Sequence, residues 1–202
     1  MPSGKLRQQQ MRQRIAAVAA RLMAEDGVDD FAHAKRKAAR QLGAEDTQAL
    51  PNNDEVEAQL RAYQSLYQGD EQRERLRELR ARTLEVMRIF EHFHPHLAGP
   101  VLKGTAARYA DIDLQLFTDD AKSVQLLLLN RGLAYEDVPQ KYYAGDQARL
   151  VPVLRFGWAG TRVNLAVFPA NDERSSLRTS PSGRALDRSS LARVVQLLDG
   201  DG

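Results

Sequence analysis

Two aspartates separated by one residue, Asp111 and Asp113, lie within the segment VLKGTAARYADIDLQLF at residues 101–117. Successive side chains of a β-strand point to opposite faces, so both carboxylates and Gln115 are predicted on one face and the apolar side chains on the other. Each carboxylate disfavours ionisation of its neighbour. Mg²⁺ relieves this conflict because it prefers carboxylate oxygens and keeps coordination positions for water and phosphates. The pair therefore predicts a magnesium site.

A glycine-led turn, Gly104-Thr105, precedes the same strand and follows an apolar run. Because glycine has no side chain, backbone N–H groups at such a turn can approach a phosphate closely. A glycine turn ahead of a D-x-D strand is predicted to bind a metal-bound polyphosphate. The simpler alternative is that the aspartates only cap the next turn, as aspartates at strand ends often do.

The segment GTAARYADIDLQLF resembles the signature of the nucleotidyltransferase superfamily, whose members share the DNA polymerase beta catalytic core. In that signature an apolar strand leads to Gly-Ser or a variant, and then to an apolar-flanked D-x-D. Gly104 and Thr105 match the Gly-Ser element, while Asp111 and Asp113 match the metal-binding aspartates. The resemblance covers roughly residues 85–170. It implies a small mixed-sheet core with flanking helices.

The chain departs from the family pattern in two places. The spacing from Gly104 to Asp111 is shorter than usual, which leaves little room for the helix that normally follows the turn. The family's third carboxylate usually lies on a later strand, and the segment TRVNLAVF offers Asn164 there. An amide oxygen can bind a metal, but it does not act as a base for an attacking hydroxyl.

The resemblance implies a magnesium-dependent nucleotidyltransferase that moves a nucleoside monophosphate from a nucleoside triphosphate to a hydroxyl acceptor, with pyrophosphate leaving. Two Mg²⁺ ions about 3.5 to 4 Å apart would be held by the aspartate pair. Gly104 and Thr105 would bind the β and γ phosphates. Lys103 and Arg108 would neutralise phosphate charge, and the planar guanidinium of Arg108 suits that task better.

The amide at the third position also supports a second interpretation. Here a catalytically degenerate nucleotidyltransferase fold acts as a nucleotide-, nucleic-acid- or protein-binding module. The catalytic candidates under the first interpretation are Asp111, Asp113 and Asn164. The sequence does not select the acceptor: protein, RNA, antibiotic and small metabolite all fit.

The order of secondary structure predicts an α+β fold. Residues 1–93 have the 3.6-residue apolar periodicity of helices, whereas short segments rich in Val, Leu and Phe follow Pro95. The segment DDAKSVQLLLLNRG predicts a helix among those strands, and a hairpin is predicted to turn on residues 157–160. We therefore predict a helical N-terminal region at 1–93 and a nucleotidyltransferase-like α+β domain at 94–202.

Composition limits the class of protein. Hydrophobic residues make up 43% and charged residues 28% of 202 residues, as in ordinary globular proteins. The absence of cysteine excludes disulfides and thiolate metal sites. No run approaches the roughly 18 to 20 apolar residues of a membrane span, and the N-terminus lacks the apolar region of a secretory signal. A cytoplasmic location and no membrane partner are the resulting expectations.

Two further patterns point weakly to other ligands. Residues 1–50 hold nine Lys/Arg against six Asp/Glu and look superficially like the opening of a TetR-type repressor, but the next segment is acidic and contains a proline. A nucleic-acid partner is therefore only weakly supported, and a solvated helix face is the commoner explanation. The histidines of HFHPH at 92–96 would suit zinc if extended, but Pro95 breaks that geometry.

Overall fold

The computed structural model describes residues 4–28, 30–45, 49–67, 69–107, 109–145, 147–181 and 183–200. Over these residues the chain forms α-helices, a mixed β-sheet and a small antiparallel sheet, which confirms the α+β class. It divides into two compact units. One comprises the residues up to Arg75 together with Thr105–Ala110, and the other comprises Leu76–Gly104 and the residues from Asp111 onward.

Helices make up the first unit, as predicted. They are α1 (Gly4–Glu25), α2 (Phe31–Gln41) and α3 (Asn53–Tyr67), followed by α4 (Gly69–Ile89), within which the division between the units falls. Asn52 and Glu55 start α3 with a reciprocal capping box: each backbone N–H donates to the other's side chain, at 2.7 and 2.8 Å. None of the described helices is long and apolar enough to cross a membrane.

Small side chains form much of the core of the first unit. Ala16, Ala19 and Ala20 of α1 are at most 2% exposed, and Ala34 and Ala38 of α2 are fully buried. Alanine loses no side-chain entropy in a helix, and its small size lets neighbouring helices approach closely. The buried face of α1 thus agrees with the apolar periodicity that predicted helices in residues 1–93.

Two sheets make up most of the second unit. Their strands are β1 (His96–Ala98), β2 (Ile112–Phe117), β3 (Tyr135–Asp137), β4 (Gln140–Ala144), β5 (Gln147–Val151), β6 (Val153–Trp158), β7 (Thr161–Phe168), β8 (Leu177–Arg178) and β9 (Arg188–Ser190). The larger sheet has the order β3-β6-β7-β2-β1-β9 and the smaller one β5-β4-β8. Helices α5 (Gly99–Lys103), α6 (Ala121–Asn130) and α7 (Leu191–Gly200) complete the unit with two 3₁₀-helices, Glu91–Phe93 and Ala170–Arg174.

The two central strands, β2 and β7, are parallel, whereas the other pairings of this sheet are antiparallel. This mixture is what the sequence predicted. The hairpin from β6 to β7 is also confirmed, and it turns on Ala159 and Gly160, with φ of 47° and 78°. Positive φ at both central positions is typical of a type I′ hairpin turn, which matches the twist of the strands.

The alternation of side chains predicted a polar face of β2 carrying Asp113 and Gln115, but most of this face is buried. Gln115 and Phe117 on that face are each only 3% exposed, and Phe117 stacks on Phe168 of β7 with ring centroids 5.7 Å apart. Tyr142 of β4 packs edge-on against Phe168 at 5.0 Å, so the smaller sheet covers this part of the face. Only the end of the face that carries Asp113 remains half-buried.

Candidate functional site

The three residues predicted to be catalytic lie together in the structure. Asp113 on β2 pairs in register with Asn164 on β7, and Asp111 directly precedes β2. The Nδ2 group of Asn164 donates to Asp113 Oδ1 at 2.8 Å and to Asp111 Oδ2 at 3.2 Å. The parallel pairing of the two strands causes this arrangement, because it puts paired side chains side by side on one face. One amide therefore bridges both carboxylates.

The amide of Asn164 is only half satisfied. Its two N–H groups face the carboxylates, while its Oδ1 is buried and has no hydrogen-bond partner among the described residues. A buried acceptor without a partner costs roughly 1 to 3 kcal/mol. Such an atom in a native structure calls for an explanation, and a ligand or ion is one of the few available.

A positive charge lies at the rim of this group. Arg162 Nη1 is 3.9 Å from Asp111 Oδ2. The Arg162 side chain is 65% exposed, so solvent screens the pair and its contribution to stability is small. Asn164 and the strand register therefore contribute more to the position of the two carboxylates than this ion pair does.

Gly99, which is not among the residues predicted for the site, lies against the Asp113 side chain. Gly99 joins β1 to α5 with φ of +70°, and a Cβ at this position would overlap Asp113 Oδ2. No side chain fits that space without displacing the carboxylate. The signal in the sequence was the Gly99-Pro100 dipeptide itself. Pro100 occupies the first turn of α5, where the absence of its N–H has no cost.

The predicted phosphate-binding glycine, Gly104, caps α5. It has φ of +76°, and its N–H donates to the carbonyl of Pro100. A Cβ at this position would lie 3.6 Å from Leu76 and 3.9 Å from Arg80, both of α4. The left-handed backbone at a helix end thus accounts for glycine here. Lys103 is the last residue of α5 and is half-buried.

Thr105 and Arg108 are the other two residues predicted to contact phosphate. Thr105 is consecutive with Gly104 but belongs to the first unit, where it is 7% exposed and its carbonyl accepts from Gln64 Nε2 at 3.4 Å. Arg108 lies outside the described residues. The structure therefore brings the aspartates and Asn164 together, whereas Gly104 and Thr105 belong to different compact units.

Arg155 of the larger sheet and Tyr142 of the smaller sheet are two further side chains in the surroundings of Asp113. Arg155 of β6 pairs in register with Asn164, is half-buried, and has a buried Nε without a hydrogen-bond partner among the described residues. Burial raises the pKa of Tyr142 to about 12; the charge of Asp113 adds to the increase and that of Arg155 opposes it. No sequence pattern indicated Arg155, because only the strand register places it beside Asn164.

The donor set suits a hard divalent cation. The two carboxylates and the side-chain amide can offer oxygen atoms as ligands. Mg²⁺ is usually held by one or two carboxylates together with substrate phosphates. Within the described ranges, no group of three or more His, Asp or Glu side chains is placed to hold a metal ion. The HFHPH histidines therefore form no such group there, and Asp111 and Asp113 contribute two carboxylates without a third.

Comparisons of the chain with protein-family models, with curated proteins and with solved structures gave no match. The relationship to the nucleotidyltransferase superfamily therefore stays a prediction from the residues of 101–117 and 161–168.

Replacing Gly99 with alanine is expected to disturb the carboxylate pair. The substitution adds strain of roughly 1 to 2 kcal/mol at positive φ and displaces Asp113, which the alanine Cβ would contact. Gly160→Ala is the matched control, because Gly160 has φ of +78° but nothing within 4 Å of an added Cβ. Urea unfolding should show a larger loss for Gly99→Ala, and equal losses would contradict the close approach.

The pKa of Tyr142 predicts a loss of stability at alkaline pH. The unfolded side chain ionises near pH 10 and the folded one near 12, so its contribution is complete below pH 10 and disappears as the pH rises to about 12. The loss should reach about 2 to 3 kcal/mol. Tyr142→Phe should lack this component, which the difference between the two unfolding free energies across that pH range measures. Parallel pH profiles would show that Tyr142 ionises normally.

Proposed function

We propose that this protein is a magnesium-dependent nucleotidyltransferase that moves a nucleoside monophosphate from a nucleoside triphosphate to a hydroxyl acceptor. One observation carries the proposal: the Asn164 amide lies within 3.2 Å of Asp111 and 2.8 Å of Asp113. The D-x-D predicted from the sequence is thus a converging pair with a third oxygen-bearing side chain beside it. The pair lies at the half-buried end of a sheet face that is otherwise packed.

Each member of the group has a separate role in this proposal. Asp111 and Asp113 hold Mg²⁺, which when bound neutralises polyphosphate charge and activates the phosphate toward attack. A half-turn of the Asn164 amide exchanges its N and O atoms, so that the buried Oδ1 faces the carboxylates and adds a third oxygen. Only the two carboxylates can accept a proton from the acceptor hydroxyl, because an amide has no basic oxygen.

A second candidate function is a nucleotide-binding module without transfer activity. The observation that favours it is that the Asn164 N–H groups already satisfy both carboxylates by hydrogen bonds. The two hydrogen bonds then stabilise the ionised carboxylates without a cation. The two candidates differ in turnover, because a module would bind nucleotide and release no pyrophosphate.

Removing either carboxylate charge is expected to abolish transfer. With Mg²⁺ and each labelled nucleoside triphosphate, and with RNA, protein or a metabolite pool as acceptor, the wild type should release pyrophosphate. Asp111→Asn and Asp113→Asn should lower the rate by at least about 100-fold. Asp187→Asn is the matched control, because Asp187 is exposed and outside the site.

The outcomes of this assay separate the two candidates. Nucleotide binding without pyrophosphate release would favour the binding module. Neither binding nor release, with both aspartate variants indistinguishable from wild type, would refute the proposed function.

Asn164→Asp tests the third position directly. Three carboxylates without a cation repel one another and lose the two amide hydrogen bonds, so the free energy of unfolding should fall by about 1 to 3 kcal/mol in EDTA. Mg²⁺ should then raise the melting temperature more than it does in wild type. Asn171→Asp adds the same charge at an exposed position and should show neither effect. A magnesium response equal to that of wild type would mean that residue 164 does not face the cation.

A further inference from the structure

Arg155 completes a row of side chains across the sheet. The register pairs Asp113 with Asn164 on the neighbouring strand, and Asn164 with Arg155 on the strand after that. Paired residues lie on the same face, and neighbouring strands are about 4.8 Å apart, so the backbones at Asp113 and Arg155 are about 10 Å apart. A long guanidinium side chain can therefore reach a ligand bound at the carboxylates.

The Arg155 side chain contains a donor that no described residue satisfies. Its Nε is buried and has no hydrogen-bond partner in the described part of the chain. The neighbouring hydroxyl of Tyr142 contacts Gln140 Oε1 at 3.2 Å instead. A buried charged donor without a partner is costly, and an anion is the ligand that matches a guanidinium in both charge and geometry.

The side of the site on which Arg155 lies indicates which anion it binds. In the strand order β6-β7-β2-β1, Arg155 is on the β6 side of the carboxylates. Lys103 and Gly104, predicted to contact the triphosphate, follow β1 on the opposite side. In-line displacement requires the acceptor and the leaving pyrophosphate on opposite sides of the reacting phosphorus. Arg155 is therefore on the acceptor side.

We infer that Arg155 binds a phosphate group of the acceptor, so that the acceptor is a hydroxyl compound that also carries a phosphate. This inference rests on the proposed function. Phosphate recognition would use the planar fork of the guanidinium, which binds two phosphate oxygens at once. A phosphorylated small molecule and the 3′ end of a nucleic acid share this chemistry.

Calorimetric titration with inorganic phosphate tests the inference. The protein is first saturated with Mg²⁺ and a non-hydrolysable nucleoside triphosphate analogue, so that the donor position is filled. Wild type should bind one phosphate, and Arg155→Met should bind it about 10- to 100-fold more weakly, as expected for one charged hydrogen-bonded contact. Arg155→Lys should be intermediate. Arg131→Met, at an exposed position, should match wild type.

Competition experiments identify the source of the phosphate. Glycerol 3-phosphate and a short oligonucleotide with a free 3′ hydroxyl are each added against bound inorganic phosphate. Displacement by either supports the inference and names the class of acceptor. Displacement by neither overturns it.

Two further results would overturn the inference without touching the proposed function. One is phosphate binding that disappears when the triphosphate analogue is present, which would assign the phosphate to the donor position. The other is equal phosphate affinity in Arg155→Met and wild type. Conversely, phosphate binding that depends on Arg155 in a protein that binds no triphosphate analogue would refute nucleotidyl transfer and support only the phosphate contact.

Discussion

The register between two parallel strands is the constraint on which the site depends. It places Asn164 beside Asp113, and the amide then reaches Asp111 just before the same strand. A slip of one residue would move every side chain of a strand to the other face. The apolar alternation of Ile112, Leu114 and Leu116, each at most 1% exposed, opposes that slip because it would move them out of the core. Hydrophobic packing on one face thus determines the carboxylate geometry on the other.

Backbone conformation supplies the second constraint at Asp113. The Asp113 carboxylate lies so close to Gly99 that a Cβ at residue 99 would overlap it. The backbone after β1 therefore leaves no room for a larger residue beside Asp113. Away from this point the same face is occupied by Phe117, Phe168 and Tyr142, which exclude water. The carboxylates therefore lie at the half-buried end of a face whose other end is a packed aromatic cluster.

Local sequence patterns were sufficient for part of the fold and for part of the site. Apolar periodicity predicted the helices of residues 1–93 and the strands β2, β6 and β7, and turn residues predicted the β6–β7 hairpin, because these depend on neighbours in the chain. The same patterns did not predict α5 or the short strands β1, β4, β8 and β9. Asp111 and Asp113 followed from a two-residue spacing in the same way. Gly99 and Arg155 did not, because each matters only through a neighbouring strand. Cross-strand register is a tertiary property, and no window of sequence contains both partners.

An amide at position 164 affects the electrostatics of the site both without a cation and with one. A carboxylate there would bind a cation more strongly, but without the cation it would add a third negative charge beside two others. The amide instead donates to both carboxylates, at 2.8 and 3.2 Å, and keeps its Oδ1 buried and unpaired. Its cation-free state is therefore stabilised by two charge-assisted hydrogen bonds. A cation at the proposed site would have to replace those bonds, so the interaction that orders the carboxylates would also oppose metal binding.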